Sequence, residues 1–132
     1  IYDMYCMFRL CVNLTDVCVD KFVFKDSLYN AGAMFHSCYS LVRLDLSSWD
    51  LNNIGSIVDL FYGCTSLLEI NLSGWDTSHV TDMSRMFVTA GYSATTWSIG
   101  DLSGWDTSSV TNMSSMFNGC SSLTKLDISK FK

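Results

Sequence analysis

Apolar residues recur along this chain at one long period. The phenylalanine that closes each Met-Phe or Leu-Phe pair falls at Phe8, Phe35, Phe61, Phe87 and Phe117. A second aromatic row runs Phe22, Trp49, Trp75, Trp105 and Phe131. Three smaller rows keep the same register: Cys11, Cys38, Cys64, Ala90, Cys120; then Leu14, Leu41, Leu67, Leu123; then Ile1, Leu28, Ile54, Val80, Val110. The unit is about 26 residues, the length scale of stacked repeat architectures. One unit carries an insertion in AGYSATTWSIG, between Phe87 and Trp105, and lacks a member of the leucine row.

Within a unit, two patterns alternate. Val80, Met83, Met86 and Phe87 stand at i, i+3, i+6 and i+7, the apolar stripe of a short helix. Thr77 and Ser78 precede it as candidate caps, and Asp82 in the opening turn suits the helix dipole. The next stretch reads differently. In LVRLDLS, Leu44 and Leu46 alternate with Arg43, Asp45 and Ser47, which predicts a short strand. Neither element is long enough to stand alone. Stacking successive units, with their strands parallel and in register, closes a shared core.

The outward strand positions form columns. The first is Asp16, Arg43, Glu69, Ile99, Lys125, whose first three members alternate in sign. Each such neighbouring pair contributes about 0.2–1 kcal/mol. The second column is Cys18, Asp45, Asn71, Asp101, Asp127, and the third is Asp20, Ser47, Ser73, Ser103, Ser129.

Composition narrows the function classes. At 132 residues, 48% hydrophobic and 16% charged, the chain buries a core and is no disordered tail. Its net charge of −5, with no basic run, argues against nucleic acid as a partner. No apolar stretch is long enough for a transmembrane helix, so membrane insertion by this segment is not expected. No signal-peptide pattern opens the chain. No polar cap marks either end, so we expect a longer array, or ends covered by other chains.

The chemistry-bearing residues favour structural roles. Four of the six cysteines share one row, and no CxxC pair offers zinc-ligand spacing. Buried thiols are the expectation, although stacking brings neighbours within reach of a disulfide. The Trp-Asp pairs at 49–50, 75–76 and 105–106 are too closely spaced for propeller blades, and a tryptophan file in the core is expected instead. Asp45, Asp101 and Asp127, or Asp50, Asp76 and Asp106, are candidate calcium ligands, with a solvated acidic surface the favoured reading. His36 and His79 occupy unrelated places in the repeat and define no dyad. No catalytic, metal-ligating or cofactor-binding residue is assigned, no cofactor is expected, and the chain is not expected to be an enzyme.

The strings LSGWDTSHVTDMSRMF (72–87) and LSGWDTSSVTNMSSMFNGCSSLTKLDIS (102–129) resemble the BspA-like leucine-rich repeats of bacterial surface proteins. The resemblance spans all five units, with the first degenerate (FVFKDSLYNAGAMF) and the fourth carrying the insertion. With the repeat pattern it implies an α/β fold: a right-handed leucine-rich-repeat-like solenoid of short parallel strands and short helices. The expected units are approximately 1–27, 28–53, 54–79, 80–109 and 110–132 of a single domain. It also implies an extracellular or cell-surface location and adhesion to a host or neighbouring-cell protein or to matrix. The expected ligand face is Asp16, Arg43, Asp45, Glu69, Asn71, Asp101, Lys125 and Asp127. The competing expectation is a structural spacer that contacts neighbouring subunits of a larger assembly.

Overall fold

Ring stacking ties the repeat together. A computed structural model describes residues 3–22 and 29–132, so the Ile1 and Leu28 members of the fifth row lie outside the described residues. The chain winds into five coils that lie one above another. Phe8, Phe35, Phe61, Phe87 and Phe117 form one file, with successive centroids 5.4–5.8 Å apart and planes within 17°. Phe22, Trp49, Trp75, Trp105 and Phe131 form a second file at 5.9–6.4 Å and within 8°. These separations exceed the spacing of hydrogen-bonded strands, as offset stacking requires. Between the files run fully buried rows such as Leu41 and Leu67, or Met34, Leu60 and Met86.

The expected helix is absent. Among the described residues there is no helix, and the only strands are β1 (Arg43–Asp45) and β2 (Glu69–Asn71). This overturns the α/β solenoid of strand-plus-helix units. The Met-Phe segment is a run of tight turns whose N–H groups alternate between two destinations. His36 and Cys38 donate within their coil, to Ala33 O and Phe35 O at 3.1 Å each. Ala33, Phe35 and Ser37 donate to the next coil, to Val58 O, Leu60 O and Tyr62 O at 2.8, 3.0 and 2.7 Å. The same bonding repeats at Asp59, Phe61 and Gly63, at Arg85, Phe87 and Thr89, and at Cys6, Phe8 and Leu10.

An α-helix would aim every N–H along its own axis. Two turns of helix are marginal in water, whereas the neighbouring coil offers carbonyls in register. Turning alternate amides sideways places two residues per coil in the left-handed region: Ala33 and Ser37, Asp59 and Gly63, Arg85 and Thr89, Ser115 and Gly119. Each non-glycine there costs about 1–2 kcal/mol, which the bonds between coils offset. Thr77 is accordingly no helix cap: its hydroxyl donates to Asp106 O, one coil on, at 2.9 Å.

The strand side is paired more sparingly. β1 and β2 are parallel, with Arg43, Leu44 and Asp45 opposite Glu69, Ile70 and Asn71. Single parallel bridges extend the stack, among them Glu69 with Ser98 and Trp97 with Leu123. The first of these shifts the outward column by one residue. Ser98, not Ile99, lies beside Glu69, and Ile99 is buried at 3% exposure. Register returns at Gly100, whose φ of +75° absorbs one extra residue before Asp101.

Trp97 supplies the missing member of the leucine row. Its bridge to Leu123 places it there, and its ring rests on Phe87 at 5.8 Å. Room for the larger ring comes from Ala90 and Gly91, which replace the Cys-x of other coils. A Cβ on Gly91 would collide with the Trp97 ring, and the residue also sits at φ +67°. Accommodation is incomplete in one respect. Among the described residues the buried indole N–H groups of Trp97 and Trp105 find no acceptor, while Trp49 and Trp75 donate to Val19 O and Leu46 O at 3.1 and 2.8 Å.

Candidate functional site

Corners of the coil are turned by short polar side chains. Asp45, Asn71, Asp101 and Asp127 each accept, through Oδ1, the amide two residues ahead, at Ser47, Ser73, Ser103 and Ser129, over 2.8–3.1 Å. Asp76 and Asp106 do the same for Ser78 and Ser108 at 3.0 and 2.9 Å, and Asp50 does so for Asn52 at 3.0 Å. These are Asx turns, which Asp and Asn favour because the side chain mimics a backbone acceptor. The hydrogen bonds hold several carboxyls below their ordinary range. For Asp45 and Asp76 the serine hydroxyl leads and its amide follows; for Asp101 and Asp127 the serine amide leads. Each carboxylate of the acidic rows considered as calcium ligands thus already accepts one backbone amide. Among the described residues no group of three or more His, Cys, Asp or Glu is placed to hold a metal.

All eight residues of the expected ligand face reach the strand-side surface. Asp16, Arg43, Asp45, Glu69, Asp101, Lys125 and Asp127 are exposed, and Asn71 is half-buried. They do not form one continuous site. Asp16, Arg43, Asp45, Glu69 and Asn71 line a first open depression of about 460 Å³, together with Val17, Cys18, Val19, Asp20 and Leu44. Asp101, Lys125 and Asp127 line a second, of about 350 Å³, with Ser98 and Gly100. The sign alternation is realised once, in Arg43 Nε to Glu69 Oε2 at 3.5 Å. Asp20 is held below its usual carboxylate range by the Cys18 thiol and then by Lys21. That thiol donates to Asp20 Oδ1 at 2.9 Å and is pushed up in turn.

Sequence reasoning did not single out Val17, Cys18 or Asp20 as site residues. Among the described residues no backbone hydrogen bond joins residues 16–20 to β1 there, a backbone feature without a side-chain signature. The more strongly bonded ion pair lies on the opposite, turn side: Arg85 grips Asp59 through Nε and Nη2 at 2.8 and 2.7 Å.

The remaining candidates keep structural roles. All six cysteines are free. Cys38, Cys64 and Cys120 each donate to the phenylalanine carbonyl of the coil before, at 3.0–3.2 Å. Burial pushes the thiols of Cys38 and Cys120 up to about 11, and that of Cys64 further. Thiols so shifted are poor nucleophiles at neutral pH. His36 stacks on Tyr62 at 4.6 Å and shares a 2.8 Å hydrogen bond with Ser37 Oγ. Ser37 is only 4% exposed, which leaves its hydroxyl out of reach of a substrate. Burial, and then Arg9, lowers the His36 pKa. His79 is exposed and pairs with Ser78 Oγ at 3.1 Å. Among the described residues no helix is long and apolar enough to cross a membrane.

A family model described as "Mycoplasma protein of unknown function, DUF285" matches residues 1–97 and 69–132, which together span the whole chain. The chain belongs to the DUF285 family. The overlapping matches agree with a repeat whose copies present the same signature in successive coils. Comparison with curated proteins and with solved structures gives no match. Within DUF285 the coil described above gives the Met-Phe and Trp-Asp motifs a physical meaning. The first builds the interlocked turns, and the second builds the tryptophan file and an Asx turn.

Proposed function

We propose that this DUF285 chain is a non-catalytic binding module that presents its strand-side face to a macromolecular ligand at the cell surface. One observation carries the reading: the charged residues that vary from coil to coil gather around two open depressions on a face the core does not need. The turn side serves the stack, through its amides and its buried Met-Phe pairs. The strand side, by contrast, exposes Asp16, Arg43, Asp45, Glu69, Asp101, Lys125 and Asp127 around backbone that is only partly paired. The W-D-T-S-x-V-T-x-M-x-x-M-F signature supports the narrower affiliation with BspA-like surface repeats. That affiliation makes the location extracellular and the ligand a host protein, a neighbouring cell's protein or matrix.

The test is binding of the isolated chain to immobilised matrix proteins and glycans, with charge reversal at Arg43 and at Glu69. Saturable binding lost on reversal supports recognition. An absence of binding to every surface favours the spacer role, for which the unbroken aromatic files through all five coils would supply stiffness.

A further inference from the structure

The first depression is a gap in the backbone ladder. Between coils 1 and 2, Val42 N–H donates to Thr15 O at 3.2 Å, and no further backbone bond joins residues 16–20 to β1 among the described residues. One junction on, the equivalent positions pair in full: β1 lies in register on β2, and Leu46 N–H reaches Asn71 O at 2.9 Å. Strand amides alternate in direction. Leu44 and Leu46 aim theirs at coil 3, so the Asp45 N–H and the carbonyls of Arg43 and Asp45 face coil 1. They find no backbone partner there, and neither does the Val17 N–H. A row of unpaired strand groups is a template for another extended chain.

Charge and lining say what kind of chain fits. Asp16, Asp20, Asp45 and Glu69 surround the gap; Lys21 Nζ pairs with Asp20 at 3.3 Å and Arg43 with Glu69 at 3.5 Å, which leaves Asp16 and Asp45 without a cation among the described residues. Its floor includes the apolar Val19 and Leu44, both buried. An acidic rim disfavours nucleic acid and anionic surfaces. The second depression differs, since Lys125 stands between Asp101 and Asp127 in its lining.

We propose that the gap between coils 1 and 2 receives an extended, basic segment of a partner protein, which pairs its backbone with the free edge of β1. Because side chains alternate along an extended chain, the segment carries Lys or Arg at every second position, facing Asp16 and Asp45. Its intervening residues are small and apolar, facing Val19 and Leu44. This inference rests on the binding reading above and names its partner class.

Three blocked, labelled heptapeptides test it on the 132-residue chain. They are alternating Lys-Val, alternating Glu-Val, and the Lys-Val sequence N-methylated at alternate residues, prepared in both phases. The Lys-Val peptide is expected to bind saturably at one per chain and to slow amide exchange at Asp45. Binding should weaken at least tenfold with Asp16→Asn combined with Asp45→Asn, and with N-methylation in one phase. Asn at 45 retains the turn acceptor, as Asn71 does, and near-ultraviolet dichroism of the tryptophan file checks folding. Equal binding by both N-methylated peptides, or unchanged exchange at Asp45, overturns strand pairing and leaves only charge adsorption. If all three peptides fail while matrix binding remains sensitive to Arg43, this inference falls and the proposed function stands. If matrix binding is also absent, both fall.

Discussion

In the three middle coils the turn side and the strand side bury comparable apolar rows, yet different bonds hold them. On the turn side, amides at every second residue cross to the next coil at all four junctions, from Phe8 N–H to Met34 O through to Phe87 N–H to Met116 O. On the strand side, regular pairing among the described residues is confined to β1 and β2, and the ladder opens at the outer coils. The segment that reads as a helix is thus the seam that closes the stack. The segment that reads as a strand is looser, and it carries the variable charges. Cohesion is concentrated on the turn side, and the binding proposed above falls to the other side of the same repeat.

Emptying the seam should have the largest effect. Phe87 is fully buried in the phenylalanine file, between Phe61 and Phe117 at 5.5 and 5.4 Å. Phe87→Ala is expected to cost about 3–5 kcal/mol. Glu69→Ala, on the exposed strand face, should stay within about 1 kcal/mol because its ion pair is solvated. Urea titrations of both variants check the contrast. Equal midpoints would remove the distinction between the two sides.

A second break point lies where the sides meet in the fourth coil. Gly91→Ala forces a methyl against Trp97 and should cost at least about 1–3 kcal/mol through overpacking. Trp97→Leu restores the residue type of the other coils and should make that alanine less costly. A double-mutant cycle measures the coupling, and strict additivity would mean that Gly91 and Trp97 do not share the space.

Ser115→Gly distinguishes the two readings of the seam by sign. Ser115 is exposed and sits at φ +56°. Relieving a left-handed non-glycine residue should raise stability by up to about 1–2 kcal/mol, less the unfolded-state entropy that glycine adds. In a helix interior the same change would lower it by about 0.5–1 kcal/mol. A fall in melting temperature would therefore restore the helix.

Why the sequence suggested that helix is a matter of degeneracy. Val80, Met83, Met86 and Phe87 face the core in both conformations, because a run of alternating turns also returns side chains at intervals of three and four. Periodicity reports which residues point inward and is silent on where the amides go. Glycine at 63 and 119 hinted at left-handed turns, but Ala33, Arg85 and Thr89 masked the regularity. The rows themselves were legible, because like side chains stack on like: the single file of Trp49, Trp75 and Trp105 is as expected. The displaced column at Ser98 was hidden, since a four-residue insertion does not say where it will be absorbed. For the candidate face, outward side chains could be read directly. The gap beside β1 could not, because it is an absence of backbone pairing between residues whose side chains alternate as they do elsewhere.

Acid should produce the smallest effect, and it should act on one side first. The carboxyls of Asp45, Asp76, Asp101 and Asp127 are lowered by the serines they accept from. A depressed carboxylate contributes stability that is fully present above its unfolded pKa of about 3.9 and is lost as pH falls through the folded value. These turns belong to the strand side and the Trp-Asp corner. The seam uses amide acceptors at Asn30 and Asn112, which do not titrate, alongside Asp82. Lowering the pH below about 4 should therefore reduce amide protection, relative to the intrinsic exchange rate at that pH, at Ser47, Ser78 and Ser103 before it does so at Phe35 or Phe61. Replacing Asp76 with Asn should leave Ser78 protected at neutral pH, since Asn71 and Asn112 hold the same turn, and should remove the acid sensitivity there. Simultaneous loss of protection on both sides would show that the coil opens as one unit, and the seam would then have no stability of its own.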